Sequence, residues 1–82
     1  MEFQRGLVVK SKAGHDKGTF LTVLEIKGNS LLLSDGKRRS LLKPKLKKII
    51  HVAPTSYVLK DLWLTTDKKI REALKNFTQT NA

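Results

Sequence analysis

Three observations predict a mainly β fold, a small barrel of about five strands carrying one C-terminal α-helix. Two apolar runs, Leu7-Val8-Val9 and Phe20 through Ile26, are rich in the β-branched and aromatic residues that suit a pleated surface, and a loop bracketed by Gly14 and Gly18 joins them. Further turn signals, Gly28-Asn29 and Asp35-Gly36, follow at short intervals. Near the end, Ile70, Ala73, Leu74 and Phe77 recur at i, i+3, i+4 and i+7, the period of a helix with one apolar stripe.

Residues 1–5 read as a lead-in, with Phe3 on the barrel and Arg5 exposed beside the first strand. Strands are expected over about 6–12 and 19–27, because the apolar runs lie there. Gly28-Asn29 then forms a two-residue hairpin, both residues tolerating φ > 0, and a third strand covers residues 30–34. Asp35-Gly36 reads as a second hairpin of the same kind, leading to a fourth strand over 37–42. Pro44 lacks the N–H a ladder needs, so residues 44–47 are expected to turn; residues 48–52 form a fifth short strand, which Pro54 ends. Five short strands around one core make a small SH3-like barrel. Residues 57–64 read equally as strand or irregular apolar segment. Thr66 is placed to cap a helix over about 67–77, Asp67 suits its positive end, and Tyr57 and Trp63 are its expected packing partners. Residues 78–82 are expected to fray. The chain thus divides into a barrel over 1–53 and a C-terminal segment over 54–82 that packs on it, one domain overall.

Eighty-two residues build one small core, burying roughly 60–65% of the surface the unfolded chain exposes. Against that core stands a formal net charge of +10, from 17 Lys plus Arg and 7 Asp plus Glu. Such self-repulsion costs stability and points to an anionic partner. The absence of cysteine excludes a disulfide, a thiol nucleophile and the usual structural zinc sites, and leads us to expect an intracellular, cytoplasmic setting. No apolar run nears the roughly 20 residues of a membrane helix, so no membrane partner is expected.

The spacing of Gly6, Val8, Gly14, Lys17, Gly18 and Val23 resembles the KOW motif of several ribosomal proteins and NusG-type transcription factors. Residues 34–39 (Ser-Asp-Gly-Lys-Arg-Arg) and 43–51 (Lys-Pro-Lys-Leu-Lys-Lys-Ile-Ile-His) resemble the second half of protein fourteen of the eukaryotic and archaeal large ribosomal subunit, and small bacterial KOW proteins are similar too. The resemblance spans roughly residues 3–53. It implies an SH3-like KOW barrel whose loop touches RNA, on or near the ribosome. The long C-terminal extension of those ribosomal proteins has no counterpart here, which leads us to expect a factor that visits ribosomes and not a constituent.

Two groups of residues carry the expected chemistry. From Lys37 to Lys60 there are eight basic residues and no acidic one, seven of them within twelve positions: Lys37, Arg38, Arg39, Lys43, Lys45, Lys47 and Lys48. Each cation that neutralises a phosphate releases condensed counterion, and six contacts give a salt slope of roughly −4 to −5. The plain alternative is that these lysines solvate a sheet edge and keep it from aggregating. The second group is the loop Gly14-His15-Asp16-Lys17-Gly18 with Lys12 beside it. Its glycines let a phosphate approach the backbone, and its N–H groups are expected to point together into a concavity that seats an anion. Alternatively the glycines only shape a turn, with Asp16 bonding its own backbone.

Aromatics lie outside the basic run, so recognition through the backbone and shape of folded RNA is favoured over base stacking, with Phe20, just past the loop, the exception to test. His51 reads as a partly buried strand residue with one hydrogen bond. Ser11, His15 and Asp16 are too tightly spaced on one turn to act as a nucleophile set, and two histidines without cysteine make a poor metal site, so neither an enzyme, a cofactor nor a small-molecule substrate is expected.

The expected partner is therefore RNA, ribosomal RNA first, with ribosomal proteins as further neighbours. Replacing Lys45, Lys47 and Lys48 with Glu should then weaken RNA binding and leave the barrel intact. Two rival readings are a double-stranded DNA binder and a protein-docking module of the transcription or translation machinery, the latter favoured by an exposed patch of Tyr57, Leu62 and Trp63.

Overall fold

Strand β1 (Leu7–Ser11) buries three consecutive side chains, Leu7, Val8 and Val9. Successive strand residues face opposite sides, so the sheet must be covered on both faces. The computed structural model, which describes residues 3–81, shows how. Strands β2 (Phe20–Lys27), β3 (Ser30–Ser34), β4 (Lys45–Lys48) and β5 (Val52–Val58) join β1 in one antiparallel sheet ordered β4-β3-β2-β1-β5, and helix α1 (Asp67–Asn81) follows. The sheet curls into a small barrel. Its inner face closes on Leu7, Val9, Leu21, Val23, Leu31, Leu33 and Val52, with Phe3 and Ile49 packed against them. Its outer face, led by Val8, is covered by Leu59, Leu64 and the helix stripe Ile70, Ala73, Leu74 and Phe77.

Two irregularities bend the sheet, as bulges do. In β2 the pairing slips between Val23 and Glu25, leaving Leu24 as the extra residue, and Arg5 Nη1 donates to the Leu24 carbonyl at 2.9 Å. Opposite β1, the pairing slips between Leu7 and Val9, and Thr55 satisfies the gap: its Oγ1 donates to the Val8 carbonyl (2.7 Å) and accepts from the Tyr57 N–H (3.2 Å).

The first three strands and their hairpin follow the sequence pattern. Lys27 pairs with Ser30 across the two-residue turn, though only Gly28 has positive φ (60°), which makes Gly the first central residue of a II′-like turn. Phe3 packs on the inner core as expected. At the helix start, the Lys69 N–H donates to Thr66 Oγ1 at 3.1 Å, the expected cap. Trp63 packs into the outer core, and the Tyr57 ring lies 5.3 Å from that of Phe77.

Between residues 35 and 58 the expected elements are corrected. Residues 37–42 form no strand, and Asp35-Gly36 is no two-residue hairpin. Instead the Asp35 carboxylate accepts from the Lys37 and Arg39 N–H groups (2.8 and 2.9 Å), while Ser34 Oγ donates to the Arg39 carbonyl (2.6 Å). Local side-chain acceptors take the amides that a ladder would have used. Residues 45–47, expected to turn with Pro44, belong with Lys48 to strand β4, and Pro44 stands just ahead of it. The expected strand over 48–52 is instead a 3₁₀ turn, Ile49–His51, that leads into β5. Pro54 sits inside β5 and does not end it, because β5 is an edge strand whose outer side needs no ladder bond. Residues 57–58 finish β5, and Asp61–Leu64 is a second 3₁₀ turn. Helix α1 continues through residues 78–81, where fraying was expected; Ala82 lies outside the described residues.

The loop over 35–44 is fastened to the first turn of α1. Leu41 N–H donates to Asp67 Oδ1 at 2.8 Å, and Arg71 Nη1 donates to the Gly36 carbonyl at 2.7 Å. Gly36 itself has φ 74° and is so close that a Cβ there would collide with the Asp67 carbonyl and meet the Arg71 amide at 3.0 Å. Gly18 has φ 89° with open space around it. Gly36→Ala should therefore lower unfolding free energy by about 3 kcal/mol and Gly18→Ala by about 1 kcal/mol, read from urea melts. Equal losses would mean that the contact with the helix is not what constrains Gly36.

Candidate nucleic-acid interface

The loop between β1 and β2 is shaped by its own backbone. Lys17 N–H donates to the Gly14 carbonyl (3.2 Å), Gly18 N–H to the Ser11 carbonyl (2.9 Å), and Thr19 gives both its N–H and its hydroxyl to the Asp16 carbonyl (2.9 and 2.6 Å). Three amides are thus consumed within the turn. Among the described residues the amides of Ala13, Gly14, His15 and Asp16 in this loop lack an acceptor.

Two cations from the other basic segment hold this loop in place. Arg39 reaches Asp16 with a forked contact, Nη2 to Oδ2 at 3.2 Å and Nε to Oδ1 at 3.4 Å, and the carboxylate is only 5% exposed. The Asp16 side chain is therefore spent on Arg39 and not on its own backbone. Lys47 is buried, and its ammonium donates to Ser11 Oγ (3.0 Å) and to the Ala13 carbonyl (2.7 Å). It pairs with Leu31 across the ladder and so shares that residue's inward face. Of the expected phosphate contacts, Arg39 and Lys47 are internal struts, and a charge reversal at Lys47 would strike the barrel itself. His51 differs too: it lies exposed in a 3₁₀ turn, and only its carbonyl is used, accepting from Lys12 N–H at 2.8 Å.

The remaining cations divide into two regions. Lys12 and Lys17 are exposed on the loop, while Lys43, Lys45 and Lys48 lie along β4 and the segment before it. The second region is a groove of about 700 Å³ between the glycine loop, the loop over 35–39 and helix α1. His15 comes to it from the first loop, Lys37 and Arg38 from the second, and Lys68, Arg71 and Lys75 from the helix. Among the described residues, the side chains of Lys37, Arg38, Lys68 and Lys75 have no hydrogen-bond or ion-pair partner. Of the acidic residues there, Asp16 is held by Arg39 and Asp35 caps backbone amides, which leaves Glu72 as the uncommitted carboxylate. Phe20 and Leu74 supply apolar lining.

The helical cations were missing from the sequence reading. Lys68, Arg71 and Lys75 stand at i, i+3 and i+7, a basic stripe beside the apolar one, and that spacing was available as a signal. What it could not supply was the neighbour of that stripe. Among the described residues, no three His, Cys, Asp or Glu side chains are grouped to hold a metal.

Lys47→Met should cost about 1–2 kcal/mol of stability, since the Ser11 and Ala13 oxygens lose a buried donor, while the same change at Lys48 stays within about 0.5 kcal/mol. Arg39→Ala should cost roughly 1–3 kcal/mol by stranding the Asp16 carboxylate, and Asp16→Asn made with it should recover part of that loss. Denaturant melts of these four variants and of Asp16→Asn alone decide the matter; additive losses at positions 16 and 39 would show that the pair is not coupled.

Compared with known protein families and with curated proteins, the chain matches none of them.

Proposed function

We propose that this protein binds folded RNA through its phosphate backbone, with ribosomal RNA as the ligand class. One observation carries the reading: unpaired cations from two separate segments, Lys37 and Arg38 on the loop over 35–39 and Lys68 and Lys75 on helix α1, converge on one groove. Like charges brought together repel, and an arrangement that keeps them unpaired is stabilised when a polyanion neutralises them. The KOW-like spacing of the glycine loop supports the same reading, because that loop forms one wall of the groove. Aromatic side chains are largely committed elsewhere. Phe77 contacts both Phe20 and Tyr57 and Trp63 packs into the outer core, which leaves Phe20 as a single aromatic on the groove and not a row of stacking platforms such as single-strand readers use.

The protein-docking alternative needs Tyr57, Leu62 and Trp63 exposed together. Tyr57 and Leu62 are exposed, but Trp63 is drawn against the helix core, which weighs against that patch.

Lys37→Glu combined with Arg38→Glu should weaken binding to a fluorescent RNA hairpin at least tenfold at about 0.1 M salt and reduce the magnitude of the salt slope by about 1.5 to 2. Lys27→Gln, at a strand end outside the groove, should leave both unchanged. Unaltered affinity in the double variant, or a preference for duplex DNA over RNA, would overturn the assignment. In lysates of cells that make the protein, co-sedimentation with large ribosomal subunits that is lost at high salt separates ribosomal RNA from other RNA.

A further inference from the structure

A surface that only grips phosphates has no use for an apolar floor, and the groove has one. The Phe20 ring is half-buried, held edge-on by Phe77 at 5.1 Å between centroids and approached by the Lys10 ammonium at 5.7 Å, and its remaining surface lines the groove with Leu74. A volume of about 700 Å³ lies within the range of small-ligand clefts, far more than one phosphate fills. Glu72 is the second anomaly. In a site for phosphate alone an uncommitted carboxylate weakens binding by repulsion, whereas every nucleobase carries an N–H donor that a carboxylate can accept.

From the apolar floor, the basic rim and this one carboxylate together, we propose that the groove takes an unpaired nucleotide of the RNA, a bulged or loop base turned out of its stack. The base lies against Phe20 and Leu74 and donates an edge N–H to Glu72. Its flanking phosphates are held by Lys37, Arg38 and the helical cations Lys68 and Lys75. This rests on the RNA-binding reading above and adds to it a preference for RNA helices interrupted by an unpaired residue. Extrusion is least costly where the base already lacks a partner, which favours such sites over continuous duplex.

The test compares two RNA hairpins that differ by one bulged nucleotide, titrated with the protein at about 0.1 M salt. The bulged hairpin should bind about tenfold tighter. Phe20→Leu, which keeps the site apolar, should remove most of that preference and leave affinity for the continuous hairpin within about twofold. Glu72→Ala separates base contact from simple charge. Removing a negative charge should raise affinity for the continuous hairpin while lowering the preference for the bulged one. Equal binding of both hairpins by the unaltered protein, or a Glu72→Ala variant that tightens both by the same factor, overturns the nucleotide site and leaves backbone binding standing. Failure to bind either hairpin overturns the RNA reading itself.

Discussion

The sheet is apolar on both faces, and most of the architecture follows from that constraint. With Leu7 and Val9 directed to one core and Val8 to another, a barrel alone would leave Val8, Phe20 and Leu24 facing water. Helix α1 covers them. A 15-residue helix is marginal by itself, so the dependence is mutual: the helix is stabilised by the face it covers. Burial of Ile70, Ala73, Leu74 and Phe77 sets the rotation of the helix about its axis, and the rotation places Lys68, Arg71 and Lys75 on the flank toward the loops. The bonds from Leu41 to Asp67 and from Arg71 to Gly36 then join the loop over 35–44 to the same end of the helix. The groove is the space left between parts that are held together for reasons of packing.

Positive charge does two jobs in this chain. Arg39 and Lys47 are structural, and each is suited to its place. The planar fork of an arginine matches the two oxygens of Asp16, while the compact ammonium of Lys47 fits between a hydroxyl and a carbonyl where no carboxylate is present. An inward-facing lysine on β4, the outermost strand on its side, also discourages edge-to-edge association. Lys37, Arg38, Lys68 and Lys75 stay outside and remain unpaired among the described residues. Holding Asp16 with Arg39 serves both jobs, because it fixes the glycine loop and takes one negative charge out of the groove.

Strand and helix identity was legible wherever the hydrophobic period ran long enough. Residues 20–27 and 30–34 and the stripe from Ile70 to Phe77 carry signals that tertiary context had no reason to override. Residues 35–48 show the limit. Asp35-Gly36 has the composition of a hairpin, yet Ser34 and Asp35 capture the following amides and carbonyl locally, and the strand moves on past Pro44. Pro54 misled for a related reason: whether proline interrupts a strand depends on whether that strand has a neighbour on its outer side, which no local pattern records.

The candidate site divides along the same line. Composition and spacing alone determined a small basic β protein with a glycine-bracketed loop, a cluster of cations and an amphipathic helix, because net charge and periodicity are properties of neighbouring residues. Which cations face outward was decided only by the tertiary structure. Arg39 finds Asp16 at a separation of 23 residues, and Lys47 finds Ser11 at 36. A charge becomes internal or external according to what the fold brings to it, and partners so distant are chosen by the sheet and helix packing, not by the residues beside them.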